Sequence, residues 1–154
     1  MELEALYRER RPAFARVAIS ITGSVDLGRE AVQEGFARAI EQLDCFRGDC
    51  PLEAWVWRIV VNTARTAARR AGYESGELEI TPTAETNGHE EISPVQLWVR
   101  TLPERQRIVV FLRYWADLDY RAIAAALEIE VGTVSATLSA AHQALRRSLQ
   151  EVPK

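Results

Sequence analysis

Apolar residues recur every three or four positions along most of this 154-residue chain, which is the spacing of one face of an α-helix. The pattern is lost over residues 76–93, where Thr, Gly and Pro are frequent. No stretch shows the alternation with a period of two that marks a half-buried strand. The sequence therefore predicts an all-α protein with two small helical domains, residues 1–75 and 94–154, joined by a flexible acidic linker.

The linker at 76–93 concentrates the negative charge of the chain. It has no Lys or Arg, and its acidic residues are Glu77, Glu79, Glu85, Glu90 and Glu91. Because the whole chain carries a net charge of -3, these carboxylates account for all of the negative excess. The distribution of charge therefore leaves nucleic acid open as a partner of the two domains.

Three helices are predicted in the first domain. Pro12 lies inside the first, over residues 2–21, and is expected to kink or divide it. Asp26 is predicted to cap the second helix. Pro51 suits the first turn of the third, and Gly72 is expected to end it. The predicted core face of the second helix is Val32, Phe36, Ile40 and Leu43.

The second domain contains the sharpest local signal. After short helices that follow Ser93–Pro94 and Pro103, Asp119 is predicted to cap a helix ending at Leu127, and a three-residue turn leads to a longer helix. These lengths are typical of a DNA-binding helix-turn-helix, although a purely structural helical hairpin has the same pattern. The apolar face of the last helix is predicted to be Val131, Val134, Leu138, Ala141, Leu145 and Leu149.

The two cysteines of the chain, Cys45 and Cys50, lie in one stretch, "DCFRGDCP". A structural zinc site usually needs four ligands, and no third or fourth lies nearby. A disulfide would be unusual in a reducing compartment. A redox switch in this loop remains an open alternative, and we predict no metal site.

Several classes of function lack sequence support. No apolar run approaches the length of about 18 residues that suggests a membrane span, and the charged N-terminus predicts no signal peptide. His89 and His142 fall in different segments, and no nucleophile motif or phosphate-binding Gly loop occurs. We therefore expect a cytoplasmic protein that is not an enzyme, needs no cofactor, and has no regulatory domain after Lys154.

A set of motifs, taken in order, resembles the extracytoplasmic-function group of bacterial sigma factors. They are "AVQEGFARA", "FRGD" followed by "AWVWRIVVN", "LPERQR" and "RAIAAAL", and the resemblance covers nearly the whole chain. It implies a subunit that directs core RNA polymerase to specific promoters and helps to open the −10 element. It also implies contacts with promoter DNA, with the β′ clamp helices and β flap of the polymerase, and with a separate anti-sigma protein.

The resemblance also assigns roles to individual residues. It places Gln33, Glu34 and Arg38 against the β′ clamp helices. It places an extruded −10 base in the loop formed by Arg47, Gly48, Asp49 and Cys50. It places DNA along the next helix, at Arg58, Asn62, Arg65, Arg69 and Arg70. It places the −35 element at Thr133, Ser135, Ala136 and Ser139, with phosphate or flap contacts from Arg105, Arg107 and Arg121.

The chain departs from the family pattern in places. Thr66 replaces the Asp that usually follows the Asn by four residues, and the recognition helix lacks the usual basic residues, which predicts weak −35 affinity. Trp55 matches the usual aromatic and is predicted to be core, whereas Trp57 is predicted to lie at the surface. A free helix-turn-helix regulator, binding a palindromic site without polymerase, is the competing hypothesis.

Overall fold

The computed structural model of the protein describes residues 2–72 and 98–150. Its first half contains α1 (Glu2–Thr22), α2 (Val25–Gln42), a 3-10 turn (Leu43–Cys45) and α3 (Leu52–Arg70). Its second half contains helical residues 98–100, then α4 (Glu104–Tyr114), α5 (Tyr120–Leu127) and α6 (Val131–Gln150). No strand occurs in these two ranges, so the all-α prediction is confirmed. The linker and the Ser93–Pro94 helix start lie outside the described residues.

The local signals in the first half act differently from the prediction at two points. α1 runs unbroken through Pro12, whose exposed position leaves the unbonded carbonyl one turn earlier open to water. Ser24, not Asp26, caps α2: its side-chain oxygen accepts a hydrogen bond of 3.3 Å from the Leu27 N–H. Asp26 instead lies in the first turn, where its charge favours the positive end of the helix dipole.

The core of the first half is aromatic. The Phe14 and Phe36 rings meet edge to face with centroids 5.0 Å apart, and Tyr7 meets Phe36 in the same way, also at 5.0 Å. The indole of Trp57 stacks on Phe14 with centroids 3.8 Å apart. Such pairs add about 0.5–1.5 kcal/mol each beyond the area that they bury, so this cluster fixes how α1, α2 and α3 cross.

Two glycines set the face of α2 that packs inward. A Cβ at Gly28 would lie 2.6 Å from Ile19 Cγ1, and a Cβ at Gly35 would lie 2.8 Å from Val60 Cγ2. α2 therefore approaches both α1 and α3 along the line of Gly28 and Gly35. Ile40 falls off that line and is 62% exposed, so its predicted place in the core is wrong.

The second half has helix-turn-helix geometry. Asp119 Oδ1 accepts a hydrogen bond of 2.8 Å from the Ala122 N–H, which confirms the predicted cap of α5. Glu128 ends α5 in the left-handed conformation, with φ of 56°. The chain bends by 103° between α5 and α6, within the usual range of about 90–120° for this motif.

The last helix is longer than the helices that cover it. Val134, Leu138 and Ala141 are buried as predicted, but Val131 and Leu149 near the two ends are exposed. α6 has 20 residues whereas α4 and α5 have 11 and 8, so its ends extend past its neighbours.

The two halves share one apolar core. Buried residues of α1, α2 and α3 form a single cluster with those of α4, α5 and α6, and α1 packs on α4 while α3 packs on α5. Each half alone is of a size at which burial is marginal, so the shared core gives each half additional buried surface. No single described helix is long and apolar enough to cross a membrane; the bent pair α5–α6 passes that test only when counted together.

Candidate nucleic-acid interface

The loop between α2 and α3 bounds a cavity. Its volume is about 340 Å³, at the small end of the range of about 300–1,000 Å³ usual for ligand pockets. Gly48 turns the loop with φ of +79°, a left-handed conformation that favours glycine, and nothing lies within 4 Å of its Cβ position. The cavity is lined by Cys45, Phe46, Arg47, Asp49, Cys50, Trp55, Arg58 and Ala125.

Trp55 gives this cavity an aromatic wall. Its ring lies 5.2 Å from that of Phe46, centroid to centroid, and Trp55 is only half-buried. A partly open indole beside a cavity can stack on a planar ring. The prediction that Trp55 belongs to the core rather than to a stacking platform is therefore only partly right.

Trp57 is the core tryptophan, and its predicted surface position is wrong. It is 0% exposed, and its indole N–H donates to Glu53 Oε1 at 3.4 Å. The face of α3 that meets α1 and α2 follows the spacing Trp57, Val61, Ala64. Trp55 stands two positions away, which turns it toward the loop.

The N-terminus of α3 opens beside the cavity without a side-chain cap. Pro51 occupies the N-cap position and makes no side-chain hydrogen bond to the first turn. Backbone N–H groups of a first helical turn have no partner within the helix, and they attract anions. The site thus combines an aromatic wall with free main-chain donors.

The two cysteines differ in exposure. Cys45, in the 3-10 turn, is exposed, and Cys50 is half-buried; both are free thiols. Cys45 follows α2 but is not packed against it. Both line the same cavity. Within residues 2–72 and 98–150, no group of three or more His, Cys, Asp or Glu could hold a metal ion.

The polar residues predicted along α3 form one stripe. Arg58, Asn62, Arg65 and Arg69 are spaced by three or four positions, so they share a helix face. Asn62 and Arg69 are exposed, as is the neighbouring Arg70. The structure thus brings together four of the five residues that the sequence proposed for this surface of α3, whereas Arg70 lies about 100° further round the helix, where it lines a pocket with Glu34 and Arg38 of α2.

Two arginines of this stripe are engaged by the second half. Arg58 Nε and Nη2 donate to the Ala125 carbonyl at 3.0 and 2.8 Å, and Nε lies 3.4 Å from Glu128 Oε1. Arg65 Nε donates to Glu104 Oε1 at 2.9 Å. Neither contact has a local sequence signal, because each partner lies far along the chain.

Thr66, where the family pattern has Asp, makes a local bond of its own. Its hydroxyl donates to the Asn62 carbonyl at 3.0 Å. The hydroxyl of Thr66 is thus bonded to the main chain one turn earlier in α3. It does not bond the side chain of Asn62, which is exposed.

The predicted recognition surface on α6 is largely accessible. Ser135, Ala136 and Ser139 are exposed, while Thr133 is half-buried and its carbonyl accepts a hydrogen bond of 2.7 Å from the Thr137 hydroxyl. Arg121, at the start of α5, is exposed. Short side chains on a helix face permit close approach to base edges.

Arg107 does not reach this surface. It is 2% exposed, its Nε lacks a partner, and burial lowers the pKa of its guanidinium although Glu104 opposes the shift. The prediction that Arg107 holds a phosphate or meets the flap is therefore wrong, because its side chain is buried within the protein. Arg105 is exposed.

The predicted polymerase-binding residues lie on one side of α2. Gln33 and Glu34 are exposed, and Arg38 Nη2 lies 2.7 Å from Glu34 Oε1. Ile40 is the residue of this surface that the sequence assigned to the core. Ile40 lies seven positions, or two helical turns, after Gln33. That spacing was the sequence signal that both residues share the exposed face of α2.

Comparisons with known proteins match both halves. The family model described as Sigma-70 region 2 matches residues 6–73, and the model described as Sigma-70, region 4 matches residues 95–151. The extracytoplasmic-function RNA polymerase sigma-E factor of Escherichia coli K12 is 32% identical over 139 residues, covering 79% of this chain and 73% of that protein. The RNA polymerase sigma-H factor of Pseudomonas aeruginosa is 27% identical over 140 residues, covering 79% and 72%.

Solved structures share the fold. The sigma factor RpoE from Bartonella quintana, in complex with the anti-sigma factor NepR, gives a TM-score of 0.78 with 21% identity and 99% coverage of each chain. CnrH, in complex with the cytosolic domain of CnrY, gives 0.74 with 25% identity, covering 98% of this chain and 89% of its own. The similarity therefore extends across both helical halves.

Proposed function

Because this chain belongs to the sigma-70 family of RNA polymerase sigma factors, in the extracytoplasmic-function group, we propose that its two halves divide promoter recognition between them. As a sigma factor it directs transcription from specific promoters. The first domain, residues 1–75, binds core polymerase and the −10 element. The second, residues 94–154, binds the −35 element, and residues 76–93 link them.

The loop cavity is the observation that carries the −10 assignment. Taking a base out of a duplex costs a few kcal/mol, so a pocket must hold it. Stacking on Trp55 would return about 1–3 kcal/mol of that cost. The uncapped first turn of α3 would accept a negatively charged or acceptor group of the same nucleotide. Arg47, Asp49 and Cys50 line the cavity that would hold it, and Gly48 turns the loop.

The stripe on α3 supports a path for the displaced strand. Asn62 and Arg69 are exposed; along α3, Arg58 lies between the cavity and Asn62, and Arg65 lies between Asn62 and Arg69. Guanidinium groups spaced along a helix bind phosphates without regard to sequence. The strand would therefore leave the pocket and follow α3 toward its C-terminus.

The −35 contact is assigned to α6. Thr133, Ser135, Ala136 and Ser139 would meet base edges, and Arg121 would meet a phosphate. Since these four positions carry no charge, few counterions are released on binding. Affinity of the free protein for the −35 element is therefore weak, and specificity depends on assembly with polymerase.

Core polymerase is assigned to the outer side of α2. Gln33, Glu34 and Arg38 would meet the β′ clamp helices, and the exposed Ile40 adds an apolar contact to this polar set. Exposed apolar side chains with a polar rim are typical of protein interfaces. Arg105 is exposed at the protein surface and is therefore available to the β flap.

Two solved structures of similar fold support control by an anti-sigma protein. One contains RpoE with the anti-sigma factor NepR, and the other contains CnrH with the cytosolic domain of CnrY. We assign the protein to the cytoplasm, where the polymerase works, and give it no enzymatic role. Its part in initiation is binding and strand separation.

A scan of abasic sites along a promoter tests the −10 pocket. Holoenzyme is bound to fork-junction DNA carrying one abasic site at a time in the non-template strand. One position should weaken binding by about five- to a hundredfold in the wild type, and Trp55→Ala should abolish that penalty. Tyr120→Ala, which removes an exposed aromatic elsewhere, is the control. A penalty unchanged by Trp55→Ala would contradict the pocket.

A further inference from the structure

Both thiols of the chain lie in the loop between α2 and α3. Cys45, in the 3-10 turn, is exposed, and Cys50 is half-buried just before α3. Both are free, and both line the loop cavity of about 340 Å³. The −10 assignment uses the shape of this loop and gives neither sulfur a chemical role. The two sulfurs are therefore a pair of nucleophiles on one small cavity whose presence the promoter contacts do not explain.

The main chain between the two cysteines is loosely held. Gly48 turns it with φ of +79°, and nothing lies within 4 Å of its Cβ position. Among the residues that the structure describes, the last main-chain hydrogen bond before this segment runs from the Phe46 N–H to the Leu43 carbonyl, at 3.1 Å. The next runs from the Trp55 N–H to the Pro51 carbonyl, at 3.2 Å. Residues 47–50 can therefore move toward a disulfide, whose Cβ atoms lie about 3.5–4.5 Å apart, without breaking either bond.

The pair suits oxidation better than metal binding. Structural zinc takes four ligands, and in the described ranges no third His, Cys, Asp or Glu joins the two thiols in a group that could hold a metal ion. An accessible cysteine beside a second cysteine is instead the usual arrangement of a redox sensor. Disulfides of cytosolic proteins are mostly transient ones of this kind, and exposed disulfides are the easily reduced ones.

We propose that Cys45 and Cys50 form a site of reversible oxidation by hydroperoxides. The exposed Cys45 sulfur, as the thiolate, attacks one oxygen of the peroxide; the O–O bond breaks, the sulfur becomes a sulfenic acid, and the other oxygen leaves with a proton as water or an alcohol. The Cys50 thiolate then attacks that sulfur and expels hydroxide, which takes up the proton that Cys50 lost and leaves as water. Two electrons thus pass from the two thiols to the peroxide. A dithiol reductant reverses the bond by thiol–disulfide exchange and is itself oxidised to a disulfide.

The bond alters the cavity proposed for the −10 base. It joins two residues of the cavity lining and fixes the loop that carries Arg47 and Asp49, so less space is left for a flipped base beside Trp55. Oxidised protein therefore opens promoters poorly. Gln33 and Arg38, assigned to core polymerase, lie on α2 and outside this loop, so binding to core is unchanged. The loss of opening rests on the proposed function of the cavity, whereas formation of the bond does not.

Thiol trapping in the full chain tests the site itself. Protein treated with a small molar excess of hydrogen peroxide is alkylated and weighed intact by mass spectrometry. The wild type should take up no alkyl group, should take up two after dithiothreitol, and should stay a monomer. Cys50→Ser should stop at a sulfenic acid on Cys45 that dimedone traps, and Cys45→Ser, which keeps only the less exposed thiol, should be oxidised more slowly. A wild type that keeps two free thiols, or whose thiols pass to sulfinic acids without bonding to each other, overturns the proposal.

Promoter opening then separates this proposal from the −10 assignment. Peroxide is removed before the protein is combined with core polymerase, and permanganate reactivity of unpaired −10 thymines is compared between oxidised and reduced samples of each variant. Oxidation should lower opening by the wild type about fivefold or more, the worth of one stacked base, with recovery after dithiothreitol, while Cys45→Ser should give the same value in both samples. A disulfide that forms without any loss of opening overturns the −10 role of the cavity and supports the oxidation site alone. An equal loss in Cys45→Ser overturns control by the pair.

Discussion

The guanidinium of Arg58 donates two hydrogen bonds, of 3.0 and 2.8 Å, to the main-chain oxygen of Ala125. The two residues belong to different helical halves and lie 67 positions apart. A side chain that the family pattern places on DNA is thus held by protein in the free chain. The same N–H groups cannot bind the Ala125 carbonyl and a DNA phosphate at once. Substitutions of Arg58 therefore test the contact between the two halves.

Arg58→Ala should lower the free energy of unfolding by about 1–3 kcal/mol, the usual worth of hydrogen bonds from a charged donor. Arg58→Lys should lose about half of that, because an ammonium cannot make the planar fork. Arg69→Ala, on the same stripe but exposed, should change it by less than about 0.5 kcal/mol. Urea unfolding measures all three, and an equal loss in Arg69→Ala would remove the special role of Arg58.

The two tryptophans should separate stability from function. Trp57→Ala removes a fully buried indole that stacks on Phe14 and should cost about 3–5 kcal/mol. Trp55→Ala, at the cavity wall, should cost much less yet reduce promoter opening by holoenzyme. Urea unfolding and permanganate reactivity of unpaired −10 thymines report the two effects. Similar unfolding losses, with opening intact in Trp55→Ala, would refute the assignment.

Gly28→Ala should destabilise the protein although alanine favours helices. Its Cβ would lie 2.8 and 2.9 Å from backbone atoms of Ile19, so α1 and α2 must move apart, at a cost of about 1–3 kcal/mol. Gly132→Ala, in α6 with nothing within 4 Å, should instead stabilise by up to about 1 kcal/mol. Thermal unfolding compares the pair, and a stabilising Gly28→Ala would contradict the close approach.

Ser135→Lys should tighten binding to duplex −35 DNA. The serine is exposed on α6, and one new phosphate contact should steepen the slope of log affinity against log salt by about 0.9. Gln150→Lys adds the same charge at the far end of the helix and should leave the slope unchanged. Fluorescence anisotropy over a salt series measures both. An unchanged slope in Ser135→Lys would place α6 away from the DNA.

Periodicity was enough to predict the helices, and some of their ends could also be predicted from local signals. The Asp119 cap and the stop at Gly72 are local events, decided by side-chain and backbone groups within a few residues. The family resemblance selected Asn62, Arg65 and Arg69, and their spacing of three or four positions puts them on one face of α3. These features needed no knowledge of tertiary contacts.

The errors fall where packing decides. Trp55 and Trp57 are two residues apart on α3, and it is Trp57 that stacks on Phe14 in the core. Periodicity predicted that Ile40 faces the core, but the close approach of Gly28 to Ile19 and of Gly35 to Val60 sets the inward face of α2 and leaves Ile40 exposed. The engagement of Arg58 by Ala125 depends on the docking of two halves, which no local pattern encodes.

Reconstituted transcription tests the central claim most directly. Core RNA polymerase, purified free of other sigma factors, is combined with this protein on a fragment library of its genome, and run-off transcripts are mapped. Transcripts should start from a discrete set of sites sharing −10 and −35 sequences, and should be strongly reduced with Trp55→Ala. A protein that neither co-purifies with core nor yields any specific transcript would contradict its role as a sigma factor.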